Sequence, residues 1–273
     1  MFEGVLERIK GKRDPSSDEG APGSGPDGYG IPGIDLNEEA QLRLLKELAR
    51  FYPAPFPETK TDGFRFYYQN IYFSYMDAIC TYCMMRHLRP ARVVEVGCGY
   101  SSAAMLDVNE RYLSGSVRFT FIDPNTERLE SLLKGDDRAK VEIFRKEVQD
   151  ADMEIFRHLK ANDILFIDSS HISKTGSDVN HIIFNVLPGL EDGVYVHFHD
   201  IFSDFEYPKE WVDEGRGYNE AYLLRAFLQY NDSFEIAFSN SFLARKHADL
   251  MSQLMPLGMK VPGAGMWIRK RKI

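Results

Sequence analysis

The string VVEVGCGYSS at residues 93–102 constrains the fold of this chain more than any other feature of its sequence. The apolar run around Glu95 predicts a buried strand, and Gly97 and Gly99 allow the backbone to turn tightly and to approach a ligand closely. A helix that begins directly after the turn would present free N–H groups in its first turn. The string therefore predicts a strand, a glycine turn and a helix that together form a binding loop.

Three classes of ligand use such a loop. A mononucleotide-binding P-loop requires Lys followed by Ser or Thr after the glycines, and no lysine stands there. A dinucleotide fingerprint requires a third glycine at position 102, where this chain has Ser102. The third class is a site for S-adenosylmethionine, which has no phosphate to bind.

From residue 91 onward, short β-rich runs alternate with helical patterns. The predicted strands are Arg92–Val96, Arg118–Ile122, Lys140–Phe144, Asp163–Ile167, Val194–Phe198, Phe234–Phe238 and Gly265–Arg269. The helical patterns between them include Ser102–Asn109, Glu127–Leu133, Met153–Leu159, Asp178–Leu187, Glu220–Tyr230 and Ala248–Leu254. Strands that alternate with helices form a parallel sheet covered on both faces. We therefore predict a doubly wound α/β fold, whose last two strands could form an antiparallel edge.

The chain before residue 91 has a different character. Its first ten residues have the apolar spacing of an amphipathic helical arm, and residues 11–33 are too rich in Gly, Pro, Ser and Asp to bury much apolar surface. A strongly amphipathic helix follows over residues 36–51. We expect an N-terminal arm with a flexible linker over residues 1–33, a helical cover over 34–90, and the α/β domain over 91–273.

The string EVGCGYSS resembles the first motif of the class I S-adenosylmethionine-dependent methyltransferases, with an acid two positions before the first glycine. The strings FIDPN, KEVQD, ILFIDSSH and VYVHFHD follow in the order that this family keeps, and they more loosely resemble small-molecule methyltransferases of bacterial metabolism. The resemblance implies a mostly parallel, seven-stranded, Rossmann-like sheet with an antiparallel last strand. It also makes residues 91–273 the S-adenosylmethionine-binding methyltransferase domain.

The same resemblance implies which residues bind the cofactor. Asp123, at the end of the second strand, would bind both ribose hydroxyls, and Val148 and Gln149 would flank the adenine. Asp168, at the end of the fourth strand, could contact the methionine amino group. With the glycine turn, the implied cofactor site comprises Glu95, Gly97, Gly99, Tyr100, Ser101, Asp123, Val148, Gln149 and Asp168.

Histidines at strand ends are the candidate catalytic residues. Methyl transfer to a hydroxyl requires removal of its proton, and histidine suits this task because its unperturbed pKa is about 6.5. His171 follows the fourth strand and His199 ends the fifth, so both would face the cofactor cleft beside Asp168. We expect these three residues to act on a small-molecule acceptor, at oxygen rather than at nitrogen or carbon.

The segment HFHD at residues 197–200 also has the composition of a metal site. Asp168, His199 and Asp200 could bind a divalent ion such as Mg²⁺ that orients the acceptor. In the alternative interpretation, His197 faces the core and is hydrogen-bonded. Two other functions stay open, namely a metal-dependent hydrolase that uses His197, His199 and Asp200, and a cofactor-binding protein without catalysis.

Two further stretches could complete the site. The aromatic stretch at residues 64–70 precedes the first strand, where the family often has a cofactor lid. Four aromatic residues after the fifth strand would offer the walls of an acceptor pocket, namely Tyr207, Trp211, Tyr218 and Tyr222.

Charge and cysteine content limit the partners of the chain. Lys and Arg total 33 and Asp and Glu total 41, a net charge of -8 that disfavours nucleic acid as a partner. The sequence contains no apolar run of about 18 residues, so it predicts no membrane span. The N-terminus has acids where a signal peptide has a cationic start and an apolar stretch. Cys80 and Cys83 fall in a helical pattern, which predicts burial rather than redox or zinc chemistry. We expect a cytoplasmic enzyme whose N-terminal arm could reach a second subunit in a homo-oligomer.

Overall fold

The computed structural model describes residues 28–271 of the 273-residue chain. The predicted N-terminal arm, most of the predicted linker, and the assembly that the arm would support lie outside these residues. Ile31 and Ile34 form a short antiparallel bridge, and the Tyr230 N–H donates to the Gly33 carbonyl oxygen at 2.8 Å, so this part packs on the domain. Within residues 28–271, no helix is long and apolar enough to cross a membrane.

Two helices precede the first strand. Helix α1 (Glu38–Leu48) has acids in its first turn, which the positive end of the helix dipole favours, and it buries its leucine face. Helix α2 (Tyr75–Leu88) is buried over almost its whole surface. Cys80 and Cys83 both lie in α2, as predicted, and burial raises the pKa of the Cys83 thiol to about 12. Burial also raises the pKa of Cys80, so both thiols stay protonated at neutral pH.

Seven strands and the helices between them follow. The strands are β1 (Arg92–Val96), β2 (Arg118–Ile122), β3 (Val141–Phe144), β4 (Ile164–Ile167), β5 (Tyr195–Phe198), β6 (Phe234–Ser239) and β7 (Met266–Lys270). The helices are α3 (Tyr100–Tyr112), α4 (Glu127–Leu132), α5 (Glu154–Arg157), α6 (Asp178–His181), α7 (Lys209–Asp213), α8 (Glu220–Leu228), α9 (Asn240–Lys246) and α10 (Ala248–Leu254). Every predicted strand is present within one residue of its expected bounds. Only the first part of the helix predicted over 178–187 is α-helical, namely Asp178–His181. The chain then continues as a π-helical turn over Ile182–Val186.

The strands form one mixed sheet in the order β3-β2-β1-β4-β5-β7-β6. Six strands are parallel, and β7 is antiparallel to both of its neighbours, β5 and β6. The last two strands thus form an antiparallel pair at one edge of the sheet, as expected, with β7 between β5 and β6 and with β6 outermost. The order of the parallel strands reverses between β1 and β4, and open α/β sheets bind ligands at such a point.

Apolar side chains cover both faces of the sheet, as the parallel pattern predicted. In β4, Ile164 and Phe166 face a layer that contains α2 and α3, whereas Leu165 and Ile167 face a layer that contains α6 and α8. This alternation follows from the two-residue period of a strand. The two layers hold the strands rigidly, so that the loops at their carboxyl ends start from fixed positions.

A buried ion network joins the segment before α2 to the domain. The Arg65 guanidinium lies 2.8 Å from Asp107 of α3 and 2.5 Å from Asp137, and none of the three side chains is more than 4% exposed. Asp107 also accepts the backbone N–H groups of Arg65 at 2.9 Å and of Phe66 at 3.0 Å. Burial raises the pKa of Asp137, but hydrogen bonds from Arg65 and from the backbone lower it by more than burial raises it. The pKa of Asp137 therefore lies below its ordinary value.

The substitution Arg65→Met should lower the free energy of unfolding by about 3–5 kcal/mol, because it leaves two carboxylates buried without their positive partner. The matched control is Arg50→Met, since Arg50 pairs with Glu47 on the surface and such pairs contribute about 0–1 kcal/mol. Urea denaturation followed by circular dichroism measures both changes. Equal losses in the free energy of unfolding for the two variants would show that this ion network does not hold the segment before α2 on the domain.

Candidate active site

The turn between β1 and α3 lies against the end of β4. Gly97 has a φ of 78°, and a Cβ atom at this position would lie 1.8 Å from the carbonyl oxygen of Asp168. Only glycine therefore allows the two strand ends to approach each other this closely. The turn and Asp168 form adjoining parts of the cleft at the strand-order reversal.

Glu95 supports this turn from inside the domain. Its side chain is fully buried, and its two carboxyl oxygens accept hydrogen bonds from the hydroxyls of Ser101 and Ser102 in the first turn of α3. Burial raises the pKa of Glu95 to about 8, although the two serine hydroxyls lower it. Two of the predicted cofactor residues, Glu95 and Ser101, thus contact each other beneath the turn.

Asp123, at the end of β2, holds the same turn from its other side. Its carboxylate accepts the Cys98 N–H at 2.8 Å and the Asn125 N–H at 2.7 Å, and the side chain is half-buried. Each carboxylate oxygen carries a second lone pair, so Asp123 can accept further hydrogen bonds from hydroxyl groups.

Val148 and Gln149 form a short 3₁₀ turn after β3. Val148 is buried in the apolar layer beside α6, and the Gln149 amide donates to the carbonyl oxygen of Gly176 at 2.7 Å. The Gln149 side-chain oxygen is buried and has no hydrogen-bond partner among the described residues. Such an unsatisfied acceptor is costly in a protein interior unless a ligand donates to it.

Aromatic rings and one cation cover the beginning of α3. The Tyr100 hydroxyl is 2.9 Å from the Tyr67 hydroxyl, and the Tyr100 ring stacks on Tyr72 with centroids 6.1 Å apart. The Arg128 guanidinium lies 3.7 Å from the centre of the Tyr72 ring. The stretch predicted as a lid thus contributes Tyr67, whereas Tyr72 and Arg128 were not predicted.

The three predicted catalytic residues meet at the ends of β4 and β5. His171 Nε2 is 3.4 Å and His199 Nδ1 is 3.7 Å from the same carboxylate oxygen of Asp168. Asp200 lies beside them, 3.2 Å from His199 Nδ1. Burial raises the pKa of Asp168, but the two imidazoles lower it more, to about 2. Asp168 is therefore a carboxylate held between two histidines.

A buried carboxylate, Glu220, fixes the orientation of His171. Glu220 begins α8 and lies 2.8 Å from His171 Nδ1, and its backbone N–H donates to the His171 carbonyl oxygen at 3.2 Å. Burial lowers the pKa of His171, but Asp168 and Glu220 raise it well above its ordinary value. Both ring nitrogens of His171 thus face carboxylates, which favour the positively charged form of the ring.

The other histidine of the cluster faces a carboxylate from α2. Asp77 is buried, and its carboxylate lies 3.9 Å from His199 Nε2. A Cβ atom at Gly263 would lie 2.3 Å from both Asp77 oxygens, so a glycine makes room for this side chain. Burial lowers the pKa of His199, but Asp200 and Asp168 raise it to about 10. Burial raises the pKa of Asp77 to about 6, against the opposing charge of His199.

His197 does not belong to this cluster. Its ring is fully buried and stacks on Phe166 with centroids 4.0 Å apart, and burial lowers its pKa well below the ordinary value. Both ring nitrogens lack a hydrogen-bond partner among the described residues. The expectation that His197 faces the core is confirmed, and the expectation that it is hydrogen-bonded there was wrong.

The backbone at the cluster is held in a costly conformation. His171 has a φ of 58° and Asp200 a φ of 59°, a region that residues other than glycine adopt at a cost of about 1–3 kcal/mol. Residues held in this way concentrate at functional sites.

The geometry gives no support to the predicted metal site. Within residues 28–271, no three His, Cys, Asp or Glu side chains are arranged to hold a metal ion. Asp168, His199 and Asp200 do lie together, with His199 Nδ1 3.7 Å from Asp168 and 3.2 Å from Asp200. The metal site therefore stays a prediction from the sequence.

Asp77 and Glu220 are the members of the cluster that the sequence did not reveal. Each lies far along the chain from the histidine that it contacts. One signal was available for Asp77, which is the only acid in α2 and lies in its mostly apolar first part. An isolated acid in such a helix needs a buried polar or charged partner.

The four aromatic residues predicted after β5 lie together. Tyr207, Trp211, Tyr218 and Tyr222 line a cavity of about 300 Å³, and the Tyr218 ring lies 4.8 Å from the ring of His171. The cavity thus adjoins the histidine and carboxylate cluster.

Comparison with known proteins finds similar sequences. Residues 94–201 match the family described as "Methyltransferase domain". A protein of Archaeoglobus fulgidus, described as uncharacterized, is 32% identical over 138 residues, which cover 49% of this chain and 62% of that protein. The match therefore spans less than two thirds of the length of that relative.

Solved structures with a similar fold have low sequence identity. The O-methyltransferase TomG from Streptomyces achromogenes, in complex with S-adenosylmethionine, is 13% identical, with 86% of this chain and 90% of that chain covered and a TM-score of 0.48. A methyltransferase of Podospora anserina bound to S-adenosylhomocysteine is 12% identical, with 88% and 98% covered and a TM-score of 0.47. Residues 94–201 are thus similar to the methyltransferase domain family.

Proposed function

We propose that this chain transfers the methyl group of S-adenosylmethionine to a hydroxyl oxygen of a small-molecule acceptor. The observation that carries the proposal is the meeting of the glycine turn with the cluster of Asp168, His171 and His199, at the carboxyl edge of a methyltransferase-domain sheet. When bound, S-adenosylmethionine supplies an electrophilic methyl group on a positively charged sulfur.

The residues around the turn suit the groups of this cofactor. Asp123 has lone pairs for the ribose hydroxyls, and the buried, unsatisfied oxygen of Gln149 can accept the adenine amino group. The carboxylate of Asp168 complements the positively charged amino group of the methionine part. Glu95 and Ser101 act beneath the turn, where they hold Gly97 and Gly99 in place.

His199 is the residue that we assign as the base. An attacking hydroxyl forms its new bond from oxygen to the methyl carbon, the bond from carbon to sulfur breaks with its electrons going to sulfur, and the hydroxyl proton must leave. Neither nitrogen of His199 makes a hydrogen bond of good geometry, whereas Glu220 occupies Nδ1 of His171. His171 and Asp168 orient the acceptor from the opposite side of the cluster.

Two alternatives lead to different observations. A hydrolase built on His197, His199 and Asp200 would need His197 as a ligand, and this ring is stacked in the core. A cofactor-binding protein without catalysis would bind the cofactor but transfer no methyl group. The cytoplasmic location and the N-terminal contact to a second subunit stay predictions from the sequence.

The substitution Gly97→Ala should abolish measurable binding of S-adenosylhomocysteine, because the added Cβ atom would push the turn away from Asp168. Gly115→Ala is the matched control, since Gly115 also has a positive φ of 67° but a Cβ atom there would meet nothing within 4 Å. Isothermal titration calorimetry measures both affinities, and circular dichroism confirms that both variants fold. Unchanged binding by folded Gly97→Ala would refute the assigned cofactor site.

The substitution His199→Gln should lower methyl transfer about a hundredfold or more, since that is what a positioned base contributes. Binding of S-adenosylhomocysteine should stay within a few-fold of wild type, because no cofactor contact is lost. A protonated ring cannot accept a proton, so wild-type kcat/KM should rise with pH towards the His199 pKa of about 10. Transfer of labelled methyl groups to a panel of phenols measures both effects. The exposed His158, substituted in the same way, is the control, and an equal loss in both variants would exclude His199 as the base.

A further inference from the structure

The cavity beside the catalytic cluster has a shape and a charge pattern that define a class of ligand. The segment between β5 and α8 builds it together with Tyr222 of α8, and its volume is about 300 Å³. Besides the four aromatic residues, it is lined by Val212, Gly215, Arg216 and Gly217. A cavity of this size accommodates a compact organic molecule.

The walls of the cavity are flat. The rings of Tyr207 and Trp211 stand almost parallel, at 28° to each other with centroids 6.3 Å apart. Tyr218 closes the space edge-on, with its centroid 5.7 Å from Tyr207 and 5.9 Å from Trp211. Aromatic walls of this kind favour another aromatic ring, which can pack against a face or an edge.

One cation, Arg216, lines the cavity. The Arg216 guanidinium lies 4.3 Å from the centre of the Trp211 ring, which holds its plane in position. Arg216 pairs with Glu214 at 2.8 Å, and both side chains are partly exposed. Surface pairs contribute little free energy, so an anion of the ligand can replace Glu214 at small cost.

The Tyr218 wall of the cavity lies against the catalytic cluster. The Tyr218 ring is 4.8 Å from the ring of His171, and the carboxylates of Asp168 and Asp200 lie 3.4 Å and 3.9 Å from His171 Nε2. The cavity therefore adjoins the cluster through Tyr218.

We infer that this cavity binds an aromatic acid, with its ring against the aromatic walls and its carboxylate on Arg216. The assignment of a hydroxyl on this molecule as the methyl acceptor rests on the proposed function, since the cavity adjoins the catalytic cluster through the contact of Tyr218 with His171. Binding of the acid itself does not depend on methyl transfer and can be measured alone.

The test uses para-hydroxyphenylpropionate and its neutral amide as probes. The chain has two tryptophans, and Trp267 is fully buried, so quenching by a ligand in the cavity reports on Trp211. The acid should bind the wild-type protein about tenfold more tightly than the amide, which is the contribution of a hydrogen bond to a charged group. Arg216→Gln should remove this preference and leave amide binding unchanged, whereas Arg216→Lys should retain part of it.

The matched control is Arg157→Gln, because Arg157 also forms an exposed pair, with Glu154, but lies on α5 away from the cavity. This variant should keep the full preference for the acid. Equal binding of acid and amide by the wild type, no saturable quenching by the acid, or an unchanged preference in Arg216→Gln would each overturn the inference. Titration of the same samples with S-adenosylhomocysteine separates the two proposals. A protein that prefers the acid but does not bind S-adenosylhomocysteine would refute the proposed methyl transfer and leave the inference about the cavity intact.

Discussion

The close contact between the end of β1 and the end of β4 is the constraint on which the rest of the site depends. Gly97 lies so near the Asp168 carbonyl that any side chain would separate the two strand ends. This contact fixes the start of α3 on one side and the carboxylate of Asp168 on the other. The buried Glu95, with its two serine donors, and Asp123, with two backbone donors, then hold the turn from both sides.

The charges at this edge of the sheet balance each other in an unusual way. His171 and His199, whose pKa values the neighbouring carboxylates raise, stand among Asp77, Asp168 and Asp200, and Glu220 contacts His171. These groups come from strands β4 and β5, from α2 and from the start of α8, so the cluster depends on the packing of the whole domain. The positive φ angles at His171 and Asp200 are maintained at an energetic cost, which is expected where function rather than stability selects the conformation.

The sequence predicted those features that are set by local patterns. Strand bounds follow from short apolar runs between polar segments, and they agree with the structure within one residue. The insertion of β7 between β5 and β6 was not predicted, because pairing of β5 with β7 is decided by contacts far apart in the chain. Asp77 and Glu220 were missed for the same reason, since no spacing relates them to His199 and His171. The metal site at Asp168, His199 and Asp200 stays a prediction from the sequence.

The most direct measurement of the central claim compares two affinities as the pH is varied. One is the affinity for S-adenosylmethionine, whose sulfur is positively charged, and the other is the affinity for S-adenosylhomocysteine, whose sulfur is neutral. Glu95 has a pKa of about 8 because it is buried near Asp123 and Asp168, and a cation bound close by favours its ionised form. The affinity for S-adenosylmethionine relative to S-adenosylhomocysteine should therefore rise with pH up to about 8 and then level off, and Glu95→Gln should remove this rise. A ratio of affinities that does not change with pH in the wild type would contradict a cationic cofactor at these strand ends.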